Sequence, residues 1–221
     1  MKIAFDLDGT LYDSFPMNFG IHKTIMPKMG YFPASEQAYR RNFQTRDWNK
    51  FYKGLGIRDE DISEAVRLFI EENRKIGLPP MISGAGSALN QASDKVGEDN
   101  IYVITNEQKE RVELRFRRDG LMAHIGRVTS PTQGKAKELY DLAQVDIRPL
   151  VYIGDLVSDG EECIEARNMG ADNIFFYGLL HPQAFSPQDM MVKFIEANPS
   201  FAKSLNSLED IKEVWSQGSF Q

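Results

Sequence analysis

The side chains in this chain that could do chemistry together are mostly carboxylates, and they recur just after short apolar runs. Asp6 and Asp8 follow Ile3–Phe5, Thr105 and Asn106 follow Ile101–Ile104, and Asp155 and Asp159 follow Leu150–Ile153. Lys135 stands a few residues beyond a further run, Gly126–Thr129. Oxygen ligands from Asp6 and Asp155 suit a hard cation such as Mg2+, which takes few protein carboxylates beside water and phosphate oxygens. That cation would also screen the mutual repulsion of the acids. A carboxylate can attack phosphorus and form an acyl phosphate. Asp8 turns to the same side as Asp6 once the strand unwinds, and a second carboxyl there could protonate a leaving oxygen and then activate water. Thr105 and Lys135 would hold phosphoryl oxygens and offset their charge. The set suits phosphoryl transfer.

Such a set needs elements that bring its members to one edge. The β-rich runs Ile3–Phe5, Ile101–Ile104, Gly126–Thr129, Leu150–Ile153 and Asn173–Phe176 predict five strands. Between the later runs lie helical patterns over Asn106–Arg118, Gly134–Leu142 and Asp159–Met169, two of them closed by Gly120 and Gly170. Strands alternating with helices imply parallel pairing through right-handed crossovers, hence an α/β sheet covered on both faces. Ligands of such sheets bind beyond the carboxyl ends of the strands, where every residue named above falls.

One interval breaks the rhythm. Residues 15–80 are too many for a single crossover, and they read as an inserted helical unit, leaving 1–14 and 81–221 as the α/β core. Within it Ser35–Gly54 predicts one aromatic-rich helix. Ile62, Ala65, Val66, Phe69 and Ile70 predict a second, closed by Gly77, Pro79 and Pro80. Residues 15–58 carry eight basic and two acidic side chains, so this stretch is +6 in a chain of net charge −6. An acidic whole argues against a nucleic-acid partner, whereas a basic insert could attract a small anion. Arg46 and Lys50, four apart, are candidates for that contact.

With Cys163 the sole cysteine, neither an internal disulfide nor a multi-cysteine metal site is possible. The first apolar run is too short for a signal peptide, and no stretch nears the ~20 residues of a membrane span. A cytoplasmic protein without membrane partners is expected. The sequence does not indicate an oligomeric state.

The motifs resemble those of the haloacid dehalogenase superfamily. Asp6-Leu7-Asp8-Gly9-Thr10-Leu11, followed by Asp13-Ser14, is similar to its first motif, Val103-Ile104-Thr105-Asn106 to its second, and Gly154-Asp155-Leu156-Val157-Ser158-Asp159 to its fourth. The resemblance implies a Rossmann-like parallel sheet of order 5-4-1-2-3 with an inserted helical cap, as in the phosphoglycolate phosphatase-like and β-phosphoglucomutase-like members. It implies Asp6 as nucleophile and metal ligand, and Asp8 as general acid/base and metal ligand through its carbonyl. Thr105, Asn106 and Lys135 would bind phosphate, and Asp155 and Asp159 would hold Mg2+. The third motif departs from the Lys-Pro pair of many capped members, with Ser130-Pro131 in its place. Lys135 then resembles the lysine of phosphoserine phosphatase-like members, and Lys137 is the alternative.

The acid at Asp8 separates this chain from the dehalogenases proper, which lack one there. The resemblance therefore implies a phosphatase acting on a small phosphorylated metabolite, with a phosphomutase as alternative and a non-catalytic binding protein as the rival from another class. Retention of Asp6, Asp8 and Asp155 argues against the last. Asp13 and Ser14 are read as turn-forming and Cys163 as a helix residue packed on the sheet. Among the three histidines, His22 is the one placed in the insert, near a substrate's path.

Overall fold

The computed structural model describes residues 1–45, 47–130 and 134–216. Six strands form one parallel sheet: β1 (Lys2–Phe5), β2 (Ile101–Ile104), β3 (Arg127–Thr129), β4 (Leu150–Gly154), β5 (Ile174–Leu179) and β6 (Ala202–Leu205). Their order is β3-β2-β1-β4-β5-β6, which is the expected 5-4-1-2-3 arrangement with one more strand beyond β5. The sequence predicts five strands, so β6 is a correction. Leu205 ends β6, and a 3-10 turn (Leu208–Lys212) then carries the chain on. Leu208, Ile211 and Val214 point inward, all at 1 % exposure or less.

Alternation along β1 sends Ile3 and Phe5 to one face and Ala4 to the other. The first face is covered by α5 (Ala85–Val96), α6 (Lys109–Arg118) and the C-terminal turn. The second lies under α7 (Lys135–Gln144), α8 (Val157–Asn168) and α9 (Gln188–Ala197), with Cys163 buried among its apolar side chains. In register, Phe5 pairs with Val103 on one side and Ile153 on the other. The residues just past β1, β2 and β4 therefore emerge side by side.

The insert supplies α1 (Phe15–Lys28), α2 (Glu36–Asn42), α3 (Trp48–Gly54) and α4 (Asp59–Lys75). Where one helix is expected over Ser35–Gly54, there are two. Asp47 breaks the run, since its Oδ1 accepts from the N–H of Asn49 at 2.8 Å and of Lys50 at 3.4 Å as an N-cap. These four helices collect their apolar side chains in a cluster of their own, in which Tyr39 meets Phe15, Phe43 and Phe51 at ring distances of 6.0, 5.6 and 5.1 Å. Among the described residues, the one fully buried side chain that joins this cluster from the sheet layer is Phe185. The two ends of the insert run together, with Asp13 donating its N–H to the Pro80 carbonyl at 2.9 Å and Ile82 to that of Leu11 at 3.0 Å.

His22 belongs to this aromatic cluster and not to a binding surface. Its Nε2 accepts from the Ala34 N–H at 3.0 Å, so the neutral ring carries its proton on Nδ1, which is buried without a partner. Charging the ring would put a proton between Nε2 and that N–H. Burial accordingly lowers its pKa from 6.5 to about 4. A depressed folded-state value means the contribution is intact above 6.5 and is lost as pH falls toward 4. Urea midpoints should therefore drop between pH 7 and pH 5 in the wild type and drop less in His22→Gln, which keeps an acceptor and cannot titrate. Equal drops in the two proteins would refute this origin.

Candidate active site

The apolar strands end where carboxylates begin, and those ends converge. Asp6 leaves β1 with its N–H donated to the Ile153 carbonyl at 2.8 Å, so it stays registered against β4. Lys135, the first residue of α7, reaches across to donate to Asp6 Oδ1 at 2.6 Å, Asp159 Oδ1 at 2.8 Å and the Tyr152 hydroxyl at 3.0 Å. Asp159 serves twice, because its Oδ2 also accepts the Leu156 N–H at 3.1 Å and so caps α8. Asp155, directly after β4, takes the Thr10 hydroxyl on Oδ1 at 3.1 Å and the Phe185 N–H on Oδ2 at 2.6 Å. Oxygen atoms of Asp6, Asp155 and Asp159 all lie within 4.8 Å of one another.

This concentration of charge is strained electrostatically. Burial pushes the Asp6 carboxyl up to about 7, against the pull of the Lys135 ammonium. Asp155 is raised well above the carboxylate range by burial and then by Asp6 and Asp159. Burial disfavours the Lys135 charge, yet Asp159 and Asp6 outweigh it and hold the ammonium well above its ordinary value. Three carboxylates and one ammonium meet here, and with all of them ionised two negative charges would be left for a divalent cation to balance. Hard oxygen donors in that number fit such an ion.

The loop between Asp6 and Asp13 leaves no room for a side chain at Gly9. Its φ is +85°, and a Cβ there would sit 2.3 Å from Asp155 Oδ2. His181, past β5, fixes the same loop. Its Nδ1 accepts the Gln183 N–H at 3.1 Å, so Nε2 carries the proton and donates to the Gly9 carbonyl at 3.0 Å. Asp13 accepts from Gln183 Nε2 at 2.8 Å and stays outside the acidic cluster, as a turn residue.

Asp8 is held apart from the cluster. Arg115, on α6 and 1 % exposed, donates to Asp8 Oδ1 at 2.7 Å and to Glu107 Oε2 at 2.9 Å. Arg115, Glu107, His181 and Phe185 carry no motif signal. One local hint exists for Arg115, which sits between Val112 and Phe116 on the buried stripe of its helix, where an apolar residue is expected.

A cavity of about 290 Å³ opens over these groups, between the sheet edge and the insert. Its floor includes Asp6, Asp8, Thr105, Asn106, Lys135 and Asp159. Thr105 is buried, with its hydroxyl accepting the Glu107 N–H at 3.1 Å. Lys137 is exposed and paired with Asp141, away from the cavity, so Lys135 is the lysine at the site. From the insert, Phe43, Trp48, Phe51 and Phe69 form the roof, with Thr45 and Asn73 at its side. Lys50, expected as an anion contact, is exposed and outside this lining, and Arg46 falls outside the described residues. So does Pro131 of the expected third-motif pair.

An open parallel sheet with acids and a lysine gathered at its carboxyl edge, under a helical insert, defines a Rossmann-like α/β core with its candidate site at the strand ends. The chain belongs to the haloacid dehalogenase-like hydrolase family, whose model matches residues 3–175. A phosphoglycolate phosphatase of Synechococcus elongatus is 28% identical over 177 residues, spanning 76% of this chain and 79% of that one. The fold is shared with a haloacid dehalogenase-like hydrolase of Streptococcus pneumoniae, at a TM-score of 0.74 and 18% identity over 96% of this chain and 97% of the other. It is shared also with a family hydrolase of Deinococcus radiodurans that holds phosphate and sodium, at a TM-score of 0.67 and 18% identity, covering 98% and 95%. Among the described residues, no helix is long and apolar enough to cross a membrane.

Proposed function

We propose that this protein is a Mg2+-dependent phosphatase that hydrolyses a phosphate monoester through a phosphorylated Asp6. The observation that carries the reading is the convergence of Asp6, Asp155 and Asp159 within 4.8 Å, with Asp6 and Asp159 paired to the Lys135 ammonium and lining the floor of a cavity roofed by the insert. A family relative that acts as a phosphatase supports it. Asp6, Asp155 and Asp159 would hold Mg2+, with Asp8 contributing its backbone carbonyl. Bound there, the cation would neutralise phosphoryl charge and keep Asp6 ionised.

The chain's own groups then divide the work. Asp6 attacks phosphorus and the ester oxygen leaves, giving an aspartyl phosphate. Asp8 gives a proton to that oxygen and afterwards takes one from the water that hydrolyses the acyl phosphate. Arg115 keeps the Asp8 carboxyl in place between these steps. Lys135, the Thr105 hydroxyl and the backbone near Asn106 hold the phosphoryl oxygens. Helices α1–α4 act as the cap, excluding bulk water and choosing the substrate.

The test is turnover of p-nitrophenyl phosphate. Chelation of divalent ions should cost at least ~100-fold, in line with several kcal/mol of charge stabilisation, and Mg2+ should restore it. Asp155→Asn should lose a similar factor with the ion present. Turnover that survives exhaustive chelation would sink the metal reading, and inertness toward phosphate esters would sink the enzyme reading.

A further inference from the structure

The cavity is divided by chemistry as well as by domain. Its charged side chains, Asp6, Asp8, Glu107, Arg115, Lys135 and Asp159 among them, belong to the sheet layer. Both cations of this floor are already engaged, Lys135 by Asp6 and Asp159, and Arg115 by Asp8 and Glu107. The roof is aromatic. Trp48 lies 5.2 Å from Phe69 and 5.8 Å from Phe51 between ring centroids, and Phe43 stacks on Phe185 at 4.8 Å. Trp48 keeps 37% of its surface exposed, so its ring is available to a ligand. Among the described residues, the insert contributes no charged side chain to the lining.

A leaving group that fills this space meets π faces and few polar atoms. A carboxylate brought against that roof would give up its hydration without gaining a cation among the described residues, which is costly. A planar ring would instead stack or pack edge-on against Trp48 and Phe69 and displace water from them. The volume of about 290 Å³ suits a phosphoryl group joined to one compact ring system.

We infer that the substrate is a phosphate monoester whose leaving group is an uncharged, planar ring compound, recognised by the aromatic roof of the cap. The inference rests on the phosphatase reading above and narrows it. It also sets this chain apart from an enzyme built for a phosphorylated carboxylic acid.

Steady-state kinetics with Mg2+ on benzyl phosphate, 2-phosphoglycolate and methyl phosphate test it. All three release an alkoxide, so leaving-group reactivity does not by itself create an aromatic preference. Benzyl phosphate should exceed 2-phosphoglycolate in kcat/KM by at least about 10-fold, the scale of discrimination by apolar contacts. Trp48→Ala should lower kcat/KM for benzyl phosphate by about 10-fold more than it lowers that for methyl phosphate, while Trp48→Phe restores most of the difference. Preference for 2-phosphoglycolate, or an equal loss on methyl and benzyl phosphate in Trp48→Ala, overturns the inference and leaves the phosphatase reading standing. Inertness of the wild type toward all three esters and p-nitrophenyl phosphate overturns both.

Discussion

Asp6→Asn should abolish turnover, by a factor of about ten-thousand or more, while the protein remains folded. The amide keeps the shape of the side chain and loses the charge proposed to attack phosphorus, and removal of a nucleophile costs factors of this order. The same change relieves the fold. Asp6 is buried beside Asp155 and Asp159, its pKa is pushed up to about 7 by that burial, and a neutral residue there escapes the repulsion. The loss of the Lys135 partner at 2.6 Å offsets part of the relief, since the ammonium keeps Asp159 at 2.8 Å. The melting temperature should thus stay close to that of the wild type. A variant retaining more than a few per cent of wild-type turnover would remove Asp6 from the role of nucleophile, and one that unfolds would recast it as a structural residue.

Lys135→Met should have the opposite profile, with fold and activity falling together. Its ammonium is the shared partner of Asp6, Asp159 and the Tyr152 hydroxyl, all buried. Removing one partner of a buried ion pair costs about 3–5 kcal/mol, because the remaining charge stays uncompensated. In a domain of this size that is a fall in melting temperature of roughly 6–20 °C. The orphaned carboxylates would rise in pKa, so they bind protons in the folded state that they do not bind unfolded at neutral pH. Stability of the variant should consequently recover as pH is lowered and worsen as it is raised. Saturating Mg2+ should recover part of the loss at fixed pH, by binding to the folded site. Thermal melts in chelator and in Mg2+, at two pH values, check all three signs. An unchanged melting temperature in chelator would mean that the ammonium is not holding the cluster together.

The parallel sheet and its chemically armed edge were legible from the chain alone because both are local patterns. An apolar run followed by Asp-x-Asp, or by Gly-Asp, reports a strand end and its cargo within a few residues. What escaped reading depends on partners distant in sequence. Ala202–Leu205 has only its end residues apolar, and it is a strand because β5 offers it a free edge. Arg115 falls on the buried stripe of its helix, but its partner is hidden until Asp8, 107 residues away, is placed beside it. The loop beyond β5 holds Gly9 through His181 and Asp155 through Phe185, over separations of 172 and 30 residues. The break in the Ser35–Gly54 helix was there to be read, in an Asp one residue before Trp48 at the start of α3. The basic charge of the insert was legible as composition but misleading as to placement, since Lys50 faces solvent and the roof is aromatic.

Gly9 carries a last consequence. A single methyl group at that position would stand 2.3 Å from the Asp155 carboxylate and 2.5 Å from the Phe185 ring. The residue contributes an absence, a hollow in the first loop into which a side chain from the fourth strand's end and another from beyond the fifth are fitted. Three stretches of chain are thereby locked into one mould. No one of them can change its volume unless the other two change with it, so they should drift in concert as this sequence diversifies.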